Sequence, residues 1–247
     1  MRKNSKTREG FSLIEMIIAI AIVAIVMSAI LVLLSYATGM MRRTNNTVSL
    51  QNQSKYAMMH ITTHVQEGSE ASSFASGQGL VVAKINKRDD GSPYYITISD
   101  YWIDSNTFAS GGGTAVVADE ADRGKGGKIY FTERRYPEYE SDGVTPKSGF
   151  LPVTDYLQPN KKDVDFTKVA LSEADRLALE KDENTFIKNV TGFNCKVVER
   201  TSSFASGGAF TTGSAIAGNT VTVQLALVDD SGDATFNNIK DIYMRNQ

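Results

Sequence analysis

The stretch GFSLIEMIIAIAIVAIVMSAILVLL, residues 10–34, decides how the whole chain is read. From Phe11 to Leu34 it runs 24 residues without Lys or Arg. As a helix rising ~1.5 Å per residue it reaches roughly 36 Å, enough to cross a bilayer. Ahead of it, MRKNSKTREG carries Arg2, Lys3, Lys6 and Arg8 against Glu9, a net of +3; the total is −2, so the remaining chain stands at −5. The four cations before the apolar run predict a cytoplasmic N-terminus and an external body, with Arg42 and Arg43 after the run pulling the other way. A secretory signal peptide has an apolar core of about 7 to 15 residues closed by a small-residue cleavage site. Here the run is longer, and Ser35-Tyr36-Ala37-Thr38-Gly39 matches such a site poorly. A plain signal anchor leaves Glu15 unexplained, because an acid in a membrane segment costs on the order of 2 to 3 kcal/mol at the centre and less near the edge. Such a carboxylate needs a partner.

Gly10-Phe11-Ser12-Leu13-Ile14-Glu15, after a short basic leader and before the uncharged residues 16–34, resembles the cleavage and methylation site of type IV prepilins and the related pseudopilins. The resemblance covers about the first 35 residues, with the glycine, the large apolar residue, the acid and the uncharged helix in the family's order. It implies that a prepilin peptidase/methyltransferase cuts between Gly10 and Phe11 and methylates the new Phe11 amine. It further implies a single-pass membrane protein that assembles with other pilin subunits, through an assembly platform protein, into an extracellular filament. The motif's chemistry can be argued independently. Glycine at the cut offers a protease no obstructing side chain and wide backbone freedom. Cleavage removes every leader cation and creates an amine near the membrane boundary, one helical turn from Glu15. Within one chain Phe11 and Glu15 share a face at i, i+4. Between staggered chains the carboxylate of one subunit meets the amine of the next, a pair that forms only in the right register. Glu15 is therefore the expected assembly residue. Ala24 and Ser28 follow the small-xxx-small spacing that lets helices approach closely in lipid, with Ala21 near the same face. No proline interrupts residues 11–34, where many pilins carry one.

Beyond the membrane run the helix is expected to continue. Leu50, Ser54, Ala57 with Met58, Ile61 and Val65 recur at spacings of three, four and seven, an apolar stripe suited to lie on a folded head, and Gly68 is the expected stop. Residues 80–85 and 94–98 flank a turn containing Asp90-Gly91 and read as a hairpin. Residues 128–132, the alternating Phe193, Cys195 and Val197, the alternating Val221 to Leu227, and a last segment near 239–244 read as further strands. Between them residues 172–181 read as a short helix with Ser172 as N-cap and Asp175 as its capping partner. The expected fold is therefore α+β and pilin-like, a long N-terminal helix packed on a β-rich C-terminal head. Its parts are a leader at 1–10, a helix at 11–67 with 11–34 in the membrane, and a head at 68–247.

A second resemblance lies near the C-terminus. Asn189-Val190-Thr191-Gly192-Phe193, the alternating Val221 to Leu227, Phe236 and Arg245-Asn246 are similar to the larger minor pilins and J-type minor pseudopilins. That resemblance implies a minor subunit at or near a filament tip. The alternative is an external binding or enzymatic domain on a membrane anchor, and the two part on whether residues 1–10 are removed.

Catalytic, metal and nucleic-acid readings find less support. No clustered Lys/Arg excess lies beyond the first ten residues, so no nucleic-acid partner is expected. Cys195 is the only cysteine, which excludes an intramolecular disulfide, and its apolar same-face neighbours make it a core residue rather than a nucleophile. His60 and His64 stand at i, i+4 with Glu67 three residues on, but the order lacks the HExxH pattern, and an exposed polar helix face is the preferred reading. Asp229, Asp230 and Asp233 around Gly232 could hold calcium in a loop, yet the EF-hand pattern is absent and a solvated hairpin turn is preferred. No Gly-x-Ser-x-Gly elbow or complete phosphate loop is present. No cofactor and no enzymatic activity are expected.

Overall fold

The computed structural model describes residues 12–74, 78–104, 126–140, 145–159, 163–200, 205–206, 209–210, 218–229, 232 and 234–244. The chain divides into two compact units, residues 1–46 and 47–247. Helix α1, Leu13–Glu67, contributes to both. In the first unit its apolar side chains, Leu13 to Met41, are exposed, as suits a helix whose surroundings are lipid or other helices. The hydroxyls of Ser28 and Thr38 donate to the carbonyls of Ile25 and Ser35, at 2.7 and 2.9 Å, so they sit in the apolar segment without an unmet donor.

In the second unit the sequence stripe becomes the contact face. Leu50, Ser54, Ala57, Met58, Ile61 and Val65 are the buried residues of α1. They pack on one face of a seven-stranded antiparallel sheet built from β1 (Glu70–Phe74), β2 (Gly79–Lys87), β3 (Pro93–Ile103), β4 (Gly127–Tyr136), β5 (Thr185–Arg200), β8 (Gly218–Val228) and β9 (Thr235–Tyr243), in that spatial order. The intervening β6 (Ala205–Ser206) and β7 (Ala209–Phe210) form a separate two-stranded pair. The α+β architecture expected from the sequence is thus the observed one. Gly68 ends the helix because α1 and β2 meet closely there. A Cβ on it would lie 2.4 Å from Val82 Cγ1, and its N–H donates to the His64 carbonyl at 2.8 Å.

Alternation along each strand separates two cores. Leu80, Val82, Tyr101, Phe193, Cys195, Val223 and Leu225 face α1. Val81, Ala83, Ile96 and Ile98 face the opposite way and are covered by Tyr156, Leu157, Val164 and Val169 from the long β4–β5 connection. That connection contains a 3-10 turn (Val153–Tyr156), α2 (Phe166–Val169) and α3 (Glu173–Leu179). Ser172 caps α3 as expected, its hydroxyl accepting the Asp175 N–H at 3.2 Å.

The covering segment is tied down by a buried ion pair. Asp100, 1% exposed, sits on the covered face of β3, where Arg134 Nε and Nη2 donate to its Oδ2 at 3.1 and 2.7 Å. The same Nη2 donates to the Val169 carbonyl at 2.8 Å, and Nη1 to the Tyr136 hydroxyl. Burial pushes the Asp100 carboxyl above the ordinary carboxylate range and Arg134 pulls it back. Removing one partner of such a pair leaves an uncompensated charge, so Arg134→Met is expected to lower unfolding stability by about 3 to 5 kcal/mol. Asp100→Leu added to it should recover much of that loss. Thermal unfolding of both variants in detergent checks this, and equal stability of the single variant and the wild type would contradict it.

Candidate functional site

The start of α1 is built from its own first turn. The Ser12 carbonyl accepts the Glu15 and Met16 N–H groups at 3.0 and 3.2 Å, which makes Ser12 the residue where the helix opens. Its side-chain oxygen takes the Ile14 N–H at 3.4 Å, and Glu15 Oε2 reaches back to the Ser12 N–H at 3.0 Å. This is a capping box, in which Ser and Glu three apart satisfy orphan donors of the first turn. It also places the Glu15 side chain at the positive end of the helix dipole. Ser12-x-x-Glu15 before an apolar run is the sequence signal of such a box. Gly10 and Phe11 lie outside the described residues.

Of the acidic candidates at the β8–β9 connection, Asp229 is among the described residues. Asp229 is buried, and its Oδ1 accepts the Ala234 N–H at 2.8 Å. Its backbone N–H donates to the Ala234 carbonyl and its carbonyl accepts the Gly232 N–H, both at 2.9 Å, around Gly232 at φ 75°. The carboxylate therefore stabilises the turn itself, as an aspartate commonly does. Asp230 and Asp233 lie outside the described residues. Among the described residues no group of three or more His, Cys, Asp or Glu could hold a metal ion.

Two other candidates take definite places. Cys195 is 1% exposed in the α1-facing core, where burial pushes its thiol well above the ordinary range, so it has little thiolate character. The histidines depart from the expected exposed helix face. His60 and His64 are half-buried against β3 and β4, and the Nδ1 atoms of both meet the Tyr101 hydroxyl, at 2.8 Å for His60. Glu67, which the spacing offered as a third ligand, pairs instead with Lys84 at 3.0 Å. Tyr101 lies 37 residues from His64, so helix spacing alone gave no sign of it.

Residues 5–31 match the prokaryotic N-terminal methylation motif. No curated protein and no solved structure matches the chain. The motif match covers the second half of the leader, the capping box and most of the membrane-length run, and it supports a type IV prepilin- or pseudopilin-like N-terminus.

Proposed function

We propose that this pilin-like chain is a minor subunit of a type IV pilus or of a related type II secretion or competence filament, cut after Gly10, methylated on the Phe11 amine and incorporated through α1. The observation that carries the proposal is the methylation motif at residues 5–31, which from Leu13 onward lies on a helix whose apolar residues are exposed from Leu13 to Met41. Among the described residues one such helix is long and apolar enough to cross a membrane, which fits a one-pass anchor. In this reading the leader stays in the cytoplasm, the head faces outward, and the assembly platform protein draws the processed subunit from the membrane into the filament. Glu15 holds the register. Its carboxylate caps its own helix in the isolated chain and pairs with the Phe11 amine of the neighbouring subunit after incorporation. The size of the β-rich head and its C-terminal strands favour a minor subunit over a major one.

N-terminal mass analysis of the membrane fraction tests the processing. The expected species begins at Phe11 and is heavier by one methyl group. A chain retaining residues 1–10 would instead indicate an external domain on a plain anchor. Quantification of sheared filaments tests the rank of the subunit, which should be present in small proportion beside another pilin.

A further inference from the structure

His60, His64 and Tyr101 meet where α1 crosses β3. Both histidines of the sequence are in this cluster. Their rings lie 4.4 Å apart between centroids, edge to face, and both present Nδ1 to one phenol whose residue is fully buried. Phe131 from β4 stacks on the His64 ring at 5.4 Å and meets the His60 ring edge-on at 4.9 Å, and Phe186 from β5 lies 4.8 Å from His60.

The hydrogen-bond inventory of this cluster is restrictive. A phenol has one proton to donate, and a neutral imidazole carries its proton on only one nitrogen. With two Nδ1 atoms at one hydroxyl, one imidazole must accept the phenol proton while the other donates to the phenol oxygen. The two rings are therefore in opposite tautomers when both are neutral. Protonating the donor ring changes nothing at Tyr101, because the added proton goes to Nε2. Protonating the acceptor ring as well turns both Nδ1 atoms into donors, and the buried phenol O–H loses its acceptor, an unmet donor of the kind that destabilises a folded state. It also places two cations in rings that nearly touch.

We propose that His60, His64 and Tyr101 form a proton-gated clasp between α1 and β3, closed while at most one imidazole is charged and opened when both are. The charges around it are mixed. Glu133 from β4 favours both cations, Glu67 from α1 favours that of His64, and Lys84 from β2 opposes it. Tyr56 from α1 lies 6.3 Å from His60 between centroids. Burial outweighs the carboxylates and holds both imidazoles below their ordinary titration, with His64 further lowering His60. The unfolded chain thus takes up protons first as pH falls through about 6.5. The clasp contributes fully above that pH and its contribution fades on acidification.

The test uses the full chain in detergent micelles, with nitrogen-15 NMR of the imidazoles, which contain no signal from elsewhere in the sequence. At pH 8 one ring is expected with its proton on Nδ1 and the other on Nε2. On acidification the two should titrate in separate steps, the second clearly below the ordinary histidine range. Tyr101→Phe should abolish the tautomer difference and bring the steps closer, leaving only the separation set by repulsion between the two rings. Thermal unfolding adds a second measurement. Between pH 7.5 and 5 the wild type should lose roughly 3 to 8 °C more than His60→Gln/His64→Gln. Identical tautomers at high pH, or two coincident ordinary titrations, would overturn the clasp. So would a wild-type pH profile that the double substitution leaves unchanged. If the double variant does not fold, the wild-type titration alone decides.

Discussion

Replacing Gly10 with a bulky residue, Gly10→Trp or Gly10→Leu, is expected to leave a full-length chain in the membrane with its leader attached, and almost no shortened product. The reasoning concerns the transition state of cleavage rather than the fold. A protease acting at the membrane face must bring the residue before the cut against its catalytic groups, and glycine gives both clearance and backbone angles closed to other residues. A hundredfold fall in cleavage corresponds to only about 2.7 kcal/mol of added barrier. A misplaced side chain supplies that readily, since forcing extra atoms into a packed site costs typically ~1 to 3 kcal/mol and occasionally more. The apolar run is untouched, so insertion should be normal. The uncut chain keeps its leader cations, Arg2, Lys3, Lys6 and Arg8, where a neighbour's Glu15 should meet a terminal amine. It should therefore be absent from sheared filaments. Pulse labelling followed by mass analysis separates the two steps, and a normally shortened product from Gly10→Trp would sink the prepilin reading.

The parts of this fold that depend on local pattern were legible beforehand, and those that depend on distant partners were not. The six-residue stripe on α1 was readable because burial on one side of a helix imposes its period directly on the sequence. The β2–β3 hairpin was readable from Asp90-Gly91, where Gly91 adopts φ 81°. By contrast β1, with the sequence EASSF, has no strong alternation. It is a strand because Glu70 to Phe74 pairs with the edge of β2, while the Glu70 carboxylate takes the Val164 N–H at 2.8 Å. The start of β5 was missed for a different reason. Asn189 takes a positive φ of 62° and the pairing with β8 shifts between Val190 and Gly192, so the side-chain alternation is broken before Phe193 restores it. The layer covering Ile96 and Ile98 could not be foreseen from residues 137–184, whose apolar side chains are too scattered to show a period. Asp100 and Arg134 likewise gave no sequence signal for an ion pair spanning 34 positions. At the helix start the local signals are sufficient, and they support two roles for Glu15, a cap on its own helix and a partner for a neighbouring amine.

Those two roles can be separated by substitution, with Glu15→Ala, Glu15→Gln and Glu15→Asp compared in one series. All three should insert in the membrane, and cleavage after Gly10 should survive, because each preserves the apolar run and the scissile residue. The capping interaction is worth about 1 kcal/mol by analogy with other helix N-termini. The interchain pair carries more weight, since an amine left without its counter-charge in a low-dielectric filament core costs about 3 to 5 kcal/mol. That penalty corresponds to roughly a hundredfold to several-thousandfold loss of incorporation, at about 1.4 kcal/mol per decade. Glu15→Gln keeps an oxygen able to accept the Ser12 N–H, so the cap is retained while the charge is lost. If pairing sets the register, Gln and Ala should fail alike, with mature subunit accumulating in the membrane and missing from the sheared fraction. Asp keeps the charge on a side chain shorter by one methylene, and should show an intermediate yield. If Glu15 matters only as a cap, Gln should assemble almost as wild type while Ala falls several-fold. Normal incorporation of Glu15→Ala would remove both roles, and the subunit would then be held by contacts of its head.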